Sequence, residues 1–242
     1  MNKILCTILA RGGSKGVKNK NIRLINGIPL IAYSIKQAQQ SNLFSTITVS
    51  SDSDDILNIA KFYKADILIK RPKEYAEDNS PKIPAIKHAV LETEKTLNTH
   101  FDVIIDLDPT SPLRNIDDIK NAYYMLVNES ASNIITACPS RRSPYFNMVK
   151  IDENNIASLP MKLDKNITRR QDAPKIYDMN ASIYVWQKNH LLNCDSLWYE
   201  KTMLYIMPEE RSLDIDTELD FEIVDFLLKK KENNHLGVIN ES

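Results

Sequence analysis

The chain begins with an apolar run that leads directly into a glycine-rich loop carrying several cations. Residues 4–10 are apolar except for Thr7, residues 11–16 follow as Arg-Gly-Gly-Ser-Lys-Gly, and Lys18 and Lys20 lie just beyond. Glycine lets a backbone approach a ligand closely, and successive backbone N–H groups form an anion-binding nest. Lys and Arg add charge and directed hydrogen-bond donors. This order predicts a buried strand that presents a polyphosphate-binding loop.

The positive charge of this region is local. The first 51 residues contain seven Lys or Arg and no Asp or Glu, whereas the whole chain has a formal net charge of −1. A small anionic ligand is therefore favoured over a nucleic-acid surface. The loop has neither the Walker A spacing nor the dinucleotide fingerprint, so phosphate binding would imply another nucleotide-binding family. The alternative is an ordinary Gly-Gly turn with solvated lysines.

Length and composition limit the class of protein. A chain of 242 residues suits one large α/β domain, alone or with a small appendage. Cys6, Cys138 and Cys194 show no C-x-x-C pairing, which favours a reducing cytoplasm over a disulfide framework. No segment approaches the roughly 18 apolar residues of a membrane span, and the apolar start is interpreted as a strand rather than a signal peptide. The expectation is a cytoplasmic protein with no membrane or nucleic-acid partner.

Short β-rich runs alternate with amphipathic helical patterns in the first part of the chain. Near-continuous apolar strands separated by helices are typical of an α/β fold with a mainly parallel sheet and helices on both faces. The expected strands are Ile4–Leu9, Thr46–Ser50, Asp66–Ile69, Val103–Leu107 and Asn133–Cys138, and the expected helices are Pro29–Gln40, Ser53–Tyr63, Ile83–Leu97 and Ile116–Val127.

The alternation is interrupted after Cys138. Residues 139–180 contain four prolines and short apolar pieces that cannot all reach the main sheet. This composition predicts an inserted arm of hairpins and loops that serves dimerisation. Residues 1–138 and 181–235 are expected to form a single α/β domain.

The end of the chain returns to regular structure. Strands are expected at Ala181–Trp186 and Met203–Ile206, followed by a helix at Glu218–Lys231. The spacing of Leu219, Ile223, Leu227 and Lys230 predicts that these four residues share one face of that helix.

Two acidic segments complement the cationic loop. Asp106 and Asp108 lie at the carboxyl end of an expected strand, where open α/β sheets bind ligands. Asp214 and Asp216 precede the last helix, and an extended backbone would project both to the same face. Such a pair of carboxylates suits Mg²⁺ or Mn²⁺. The alternative is that Asp216 or Thr217 only caps the final helix.

Three motifs occur in order along the chain. They are Ala-Arg-Gly-Gly-Ser-Lys-Gly at residues 10–16, Pro-Thr-Ser-Pro-Leu-Arg at residues 109–114, and Asp-Ile-Asp-Thr-Glu-Leu-Asp at residues 214–220. Together they resemble the acylneuraminate cytidylyltransferases (CMP-sialic acid synthetases), over roughly residues 3–230. The resemblance implies a Rossmann-like fold, CTP and an acidic nine-carbon sugar as substrates, and a homodimer whose protruding arm lies near the partner's active site.

The resemblance also implies roles for individual residues. Arg11 and Lys15 match positions that address the phosphates, Asp214 and Asp216 match the metal-binding pair, and these four are the expected catalytic residues. The expected nucleotide-binding residues are Arg11, Gly12, Gly13, Ser14, Lys15, Lys20, Asn21, Arg71 and Ser80. The expected sugar-binding residues are Asp108, Thr110, Ser111, Arg170, Asp178 and Asn180.

Two departures from the family pattern bear on the sugar. Typical sialic acid enzymes carry Gln where this chain has Asp108, and often Arg where it has Asp178. The combination resembles enzymes for bacterial analogues, above all CMP-legionaminic acid synthetases. Alternatives are a CMP-N-acetylneuraminic acid synthetase proper and, from another class, a nucleotide-sugar glycosyltransferase. A separate alternative is that Asp108 helps to hold the metal.

Overall fold

The computed structural model describes residues 2–77, 79–164 and 169–239, and its centre is a seven-stranded sheet. The strands are β1 (Ile4–Leu9), β2 (Leu24–Ile25), β3 (Ile28–Pro29), β4 (Thr46–Ser51), β5 (Ile67–Lys70), β6 (Val103–Leu107), β7 (Asn133–Pro139), β8 (Lys150–Ile151), β9 (Ala157–Ser158), β10 (Tyr177–Gln187) and β11 (Thr202–Ile206). The helices are α1 (Leu30–Ser41), α2 (Asp54–Phe62), α3 (Lys82–Leu97), α4 (Ile116–Asn128), α5 (Lys188–Asn193) and α6 (Glu218–Ile239). None of the described helices is both long enough and apolar enough to cross a membrane.

The central sheet is mainly parallel, as the sequence predicts. Its strand order is β11-β7-β10-β6-β1-β4-β5. Every neighbouring pair is parallel except the two pairs made by β10, which runs antiparallel to β6 and to β7. The carboxyl ends of β1, β4, β5 and β6 therefore meet at one edge, where ligands bind in sheets of this kind.

Helices cover both faces of the sheet, which confirms the expected α/β fold. α1, α2 and α4 pack on one face, where Ile31 and Ile119 are buried with Cys6 of β1. α3 and α5 pack on the other face, where Ile86 is buried with Leu5. Successive side chains of a strand point to opposite faces, so adjacent residues of β1 contribute to two separate apolar clusters.

The face that α6 buries differs from the expected one. Phe221, Val224 and Leu228 are buried in a third apolar cluster, together with Val17 and Ile215. Leu219 and Ile223, by contrast, are 63% and 40% exposed. The helix contains two overlapping sets of apolar residues at i, i+3 and i+4 spacing, either of which could face the protein. Packing against the loops beside the helix decides which set is buried.

The start of α6 is a capping box. Thr217 is the N-cap residue of α6. The Thr217 hydroxyl accepts from the Asp220 backbone N–H (3.2 Å), and the Asp220 carboxylate accepts from the Thr217 backbone N–H (2.8 Å). Such reciprocal bonds satisfy two of the unpaired backbone donors at a helix start. The cap is thus made by Thr217 and Asp220, and the side chain of Asp216 has no part in it.

The expected arm is only partly separate from the sheet. Its described residues include the short hairpin of β8 and β9, whose strands are exposed. β10 already begins at Tyr177, which pairs with Pro139 of β7. Residues 177–180, which were assigned to the arm from sequence, thus lie in the central sheet. Residues 165–168 of the expected arm are outside the described residues.

Candidate active site

A cavity of about 380 Å³ lies at the carboxyl ends of the parallel strands. One wall comes from the glycine-rich loop after β1, another from the segment after β5, and a third from the residues after β6 and before α6. Ten of the predicted site residues line it: Arg11, Ser14, Lys15, Lys20, Asn21, Arg71, Ser80, Asp108, Thr110 and Asp216.

The glycine-rich loop is held by bonds to the rest of the protein. The Gly12 N–H donates to the Asp52 carboxylate (2.9 Å), so this donor already has a partner within the protein. Asn21 is buried, and its amide nitrogen donates to the Arg11 carbonyl (3.0 Å). Asn21 therefore shapes the loop by fixing the backbone of Arg11.

Gly16 allows the loop to approach the acidic segment before α6. A Cβ atom at Gly16 would lie only 1.9 Å from the carbonyl oxygen of Asp216, whereas one at Gly13 would meet nothing within 4 Å. Glycine is therefore required sterically at residue 16 and not at residue 13. Gly16 was not among the predicted site residues, although its place as the third glycine of the loop was a signal.

Lys20 joins the same two segments. Its ammonium donates to the Ile215 carbonyl and lies 3.3 Å from the Asp216 carboxylate. The loop and the expected metal-binding pair are thus connected through one cation and one close backbone contact. Lys20 was predicted to bind the nucleotide directly, and its observed contacts are with the protein.

Arg71 and Ser80 lie on the side of the cavity next to β4 and β5. Arg71 is 7% exposed, and its guanidinium donates to the hydroxyl (3.2 Å) and the carbonyl (2.5 Å) of Ser50. Burial lowers the pKa of Arg71 from its usual value. The Ser80 hydroxyl donates to the Glu74 carbonyl (2.7 Å), which closes the loop that follows Arg71.

Next to β6, the cavity wall contains a cluster of partly buried charges around Lys82. The Lys82 ammonium lies 2.9 Å from a carboxylate oxygen of Asp106 and 2.8 Å from one of Asp108. It also lies 4.7 Å above the ring of Tyr184. Burial acts to lower the pKa of Lys82, but the two carboxylates more than offset it, so that pKa lies above its usual value.

Asp108 is engaged mainly with the protein. One carboxylate oxygen accepts from the backbone N–H (3.0 Å) and the hydroxyl (2.8 Å) of Thr110, and the other accepts from Lys82. Burial acts to raise the pKa of Asp108, but Lys82 and Thr110 outweigh it and hold that pKa at about 2. A carboxylate has about four acceptor positions, so three of those of Asp108 are used.

Asp214 has the opposite electrostatic environment. One of its carboxylate oxygens is buried without a hydrogen-bond partner. Burial and the negative charge of Asp108 raise the pKa of Asp214 to about 6. Asp216, two residues on, is 77% exposed in its side chain.

An unpartnered, buried carboxylate oxygen beside further negative charge is a position that a divalent cation would stabilise. Asp214 and Asp216 therefore fit the metal that the sequence implies. Among the described residues, no group of three or more His, Cys, Asp or Glu side chains could hold a metal ion by itself. The pair would leave further coordination positions for other oxygen ligands.

Arg114, the last residue of the Pro-Thr-Ser-Pro-Leu-Arg motif, lies beneath this acidic end. It is 1% exposed, and it donates to the carbonyls of Asp108 (2.8 Å) and Ser182 (2.9 Å). Burial lowers the pKa of Arg114 to about 10. The arginine thereby fixes the backbone that carries Asp108.

Several residues that were assigned to the sugar lie outside the cavity. Ser111 is fully buried and donates to the Asn180 carbonyl (3.3 Å). The Asn180 side chain is also buried: its amide oxygen accepts from the Thr136 hydroxyl (2.6 Å) and the Ser182 N–H (3.2 Å). These bonds stabilise an irregularity of β10, where Ala181 has a φ of 49° and the register to β7 shifts.

Arg170 and Asp178 lie at the base of the arm. Arg170 donates to the Ser140 carbonyl (2.6 Å) and lines a second cavity of about 560 Å³. Asp178 is exposed in β10, opposite Cys138. Within one chain, Arg170 and Asp178 thus do not line the cavity that is formed by the glycine-rich loop.

Comparison with known proteins agrees with this geometry. The cytidylyltransferase family model matches residues 5–238. The chain belongs to the cytidylyltransferase family. The family predicted from the three sequence motifs, and with it the prediction of a nucleotidyltransferase enzyme, is therefore confirmed.

Two relatives match over almost the whole length of both proteins. The chain is 50% identical over 231 residues to CMP-N,N'-diacetyllegionaminic acid synthase of Campylobacter jejuni, covering 96% of this chain and 97% of that protein. It is 47% identical over 231 residues to post-translational flagellin modification protein B of Campylobacter coli, with the same coverage.

A solved structure shares the fold at low sequence identity. The structure of CMP:2-keto-3-deoxy-manno-octonic acid synthetase complexed with CTP superimposes with a TM-score of 0.69 at 15% identity, covering 95% of this chain and 99% of that one. At this identity the likeness concerns the fold alone.

Proposed function

We propose that this cytidylyltransferase joins CTP to a nonulosonic acid, giving the CMP-sugar and pyrophosphate. The observation that carries the proposal is that one cavity is lined both by cations, Arg11, Lys15 and Lys20, and by carboxylates, Asp108 and Asp216. Cations suit the triphosphate, and carboxylates suit a divalent metal.

In the proposed reaction, the anomeric hydroxyl oxygen of the sugar bonds to the α-phosphorus of CTP. The bond from that phosphorus to the bridging oxygen breaks, pyrophosphate leaves, and the hydroxyl proton passes to a base or to solvent. Such transfers depend mainly on positioning and on neutralising charge. Arg11 and Lys15 act on the charge that builds up on the departing pyrophosphate.

The proposed metal is Mg²⁺ or Mn²⁺, held by Asp214 and Asp216. The buried oxygen of Asp214 without a hydrogen-bond partner supports this assignment. When bound, the metal neutralises negative charge on the triphosphate. Lys20 and Gly16 keep the backbone of the metal-binding segment against the glycine-rich loop.

The proposed sugar is legionaminic acid, in preference to N-acetylneuraminic acid. The high identity to a CMP-N,N'-diacetyllegionaminic acid synthase supports this choice. The presence of Asp108 and Asp178, where typical sialic acid enzymes carry a neutral amide and an arginine, also supports it.

The proposed assembly is a homodimer formed through the arm, in the cytoplasm. Val149, Ile151 and Ile156 of the arm are 63–70% exposed, which is an apolar surface that a second copy would cover. In such a dimer, Arg170 would serve the partner's cavity rather than that of its own chain. The three free cysteines suit a reducing compartment.

The test is pyrophosphate release from CTP with legionaminic, pseudaminic and N-acetylneuraminic acids, with and without Mg²⁺. We expect turnover that requires both CTP and metal, with kcat/KM at least about tenfold higher for legionaminic than for N-acetylneuraminic acid. Equal or better turnover of N-acetylneuraminic acid would refute the sugar assignment, and no turnover of any acidic sugar would refute the function. Sedimentation of the active enzyme as a monomer would refute the dimer.

A further inference from the structure

The charged cluster around Lys82 is part of the cavity wall, and Lys82 itself was not among the expected site residues. Lys82 is the first residue of α3, and its ammonium contacts Asp106 of β6 and Asp108. Its side chain is 31% exposed and lines the cavity. A lysine ammonium has three N–H donors, and the two carboxylates account for two of them.

The ammonium of Lys82 lies on the side of the cavity next to β6 and β10, away from the guanidinium of Arg71, an expected nucleotide-binding residue. Asp106 and Tyr184, which it contacts, are register partners in β6 and β10. Arg71 instead follows β5, and its guanidinium contacts Ser50 of β4, which lies two strands from β6 in the sheet. With neighbouring strands about 4.8 Å apart, the backbones of β4 and β6 are separated by roughly 10 Å. Lys82 is thus placed to meet the acceptor rather than the base.

The charge of the cluster limits what Lys82 can bind there. The Lys82 ammonium and the buried Arg114 guanidinium face three carboxylates here, those of Asp106 and Asp108 and that of Asp214, which is near enough to sense the charge of Asp108. This corner therefore carries surplus negative charge and would repel the carboxylate of an acidic sugar. A neutral oxygen can still accept the remaining N–H without disturbing the ion pairs, and an amide carbonyl is a strong neutral acceptor.

Asp108 does not need to contact the sugar in order to influence it. Three of its acceptor positions bind Thr110 and Lys82, and its carbonyl is held by Arg114. Its effect on the acceptor is therefore exerted through the position of Lys82. This changes the role expected from sequence, where Asp108 was a sugar ligand.

We propose that Lys82 determines acceptor specificity by donating its third hydrogen bond to a neutral oxygen of the sugar, an N-acyl carbonyl, with Asp108 as its positioning residue. The inference rests on the proposed function and deepens it. It names the chemical group that the acidic end of the cavity recognises.

The experiment compares two nonulosonic acids that differ only in an N-acyl group against a hydroxyl at the same carbon, with CTP and Mg²⁺. We expect the unchanged enzyme to prefer the acylated sugar at least about tenfold in kcat/KM, and Lys82→Met to reduce that preference to about threefold or less. The KM for CTP should stay within about twofold. Asp108→Asn should reduce the preference in the same direction.

Controls separate this role from a structural one. Lys87→Met, on the same helix with an ion pair to Asp195 outside the cavity, should leave the preference intact. Lys82→Met leaves the buried carboxylate of Asp106 and the partly buried one of Asp108 without their cation, so thermal unfolding is measured alongside. Lys82→Arg keeps the charge and should still lose the preference, because a guanidinium cannot place the same donor at the same point.

The outcomes are distinguishable. An equal fall for both sugars, a main effect on the KM for CTP, or full preference retained in Lys82→Arg would overturn the role of Lys82 while leaving the proposed function standing. If the unchanged enzyme shows no preference for the acylated sugar, this inference also fails. Absence of pyrophosphate release with any nonulosonic acid would refute the proposed function and this inference together.

Discussion

The two ends of the cavity are built in different ways. The cationic end is one continuous segment, residues 11–20, whose shape depends on glycines and on backbone contacts to Asp52 and Asp216. The acidic end is assembled from Lys82, Asp106, Asp108 and residues 214–216, which are far apart in sequence.

This difference has a physical consequence. In the cationic end, one change of shape disturbs several donors at once, because they share a backbone. In the acidic end, the groups interact through charge at short range in a partly buried environment, so removing one group changes the electrostatic environment of the others. The predictions below test the two ends separately, from the largest expected effect to the smallest.

The largest effect is expected at the acidic end. Asp214→Asn should lower kcat/KM by at least about 1,000-fold, or roughly 4 kcal/mol of barrier, because it removes the charge of a proposed metal ligand. Asp216→Asn should also remove most turnover. Steady-state kinetics at saturating Mg²⁺ measures both. A loss of less than about tenfold in either variant would contradict the metal role.

At the cationic end, Gly16→Ala should lower kcat/KM by about 100-fold, since a Cβ atom there collides with the carbonyl of Asp216 and must separate the loop from the metal-binding segment. Gly13→Ala lies in the same expected nucleotide-binding loop and is compared with it, because no protein atom lies within 4 Å of the added Cβ atom. Similar kinetics for the two variants would show that the contact between the ends is unimportant.

The cationic side chains are expected to act mainly in the transition state. Arg11→Ala and Lys15→Ala should each lower kcat by about tenfold to 100-fold and also raise the KM for CTP, because charge accumulates on the leaving pyrophosphate. Pyrophosphate release over a range of CTP concentrations separates the two parameters. A change in KM alone would indicate uniform binding of the ground and transition states.

The acidic end should give the enzyme a pH-dependent requirement for metal. The pKa of Asp214 is raised to about 6, so its carboxyl group is ionised above that pH and gains a proton below it. The Mg²⁺ concentration for half-maximal activity should therefore rise by about tenfold per pH unit below 6, since one proton competes with the metal. Metal titrations between pH 5 and 8 measure this. A constant requirement across that range would disprove it.

The smallest effect concerns the helix cap beside the metal-binding pair. Thr217→Ala should lower the free energy of unfolding by about 1 kcal/mol, with little change in metal requirement, because the capping box is lost. Asp216→Asn should do the reverse. Urea unfolding and Mg²⁺ titration of both variants measure the two properties. If either variant changes both its free energy of unfolding and its metal requirement, the cap and the metal site are not independent.

Sequence patterns were sufficient for the features that depend on contiguous residues. The order of the central-sheet strands and their helices through β7 follows from local apolar periodicity, because burial imposes a period of two or of 3.6 residues. The short hairpin of β2 and β3 was not predicted. The glycine-rich loop, the Asp-x-Asp pair and the family were likewise recognisable, since each depends on a short continuous motif.

The tertiary structure decided what depends on distant partners. Only the folded chain shows that the Lys82 ammonium contacts Asp106 and Asp108 and that the Asp216 carbonyl leaves no room for a side chain at residue 16. It also shows that the Asn180 side chain forms its hydrogen bonds inside the protein. It also selected which apolar face α6 buries. A sequence pattern specifies what a residue is able to contact. Folding selects the actual contact, because short-range charge, hydrogen bonding and steric exclusion depend on distances that local periodicity does not contain.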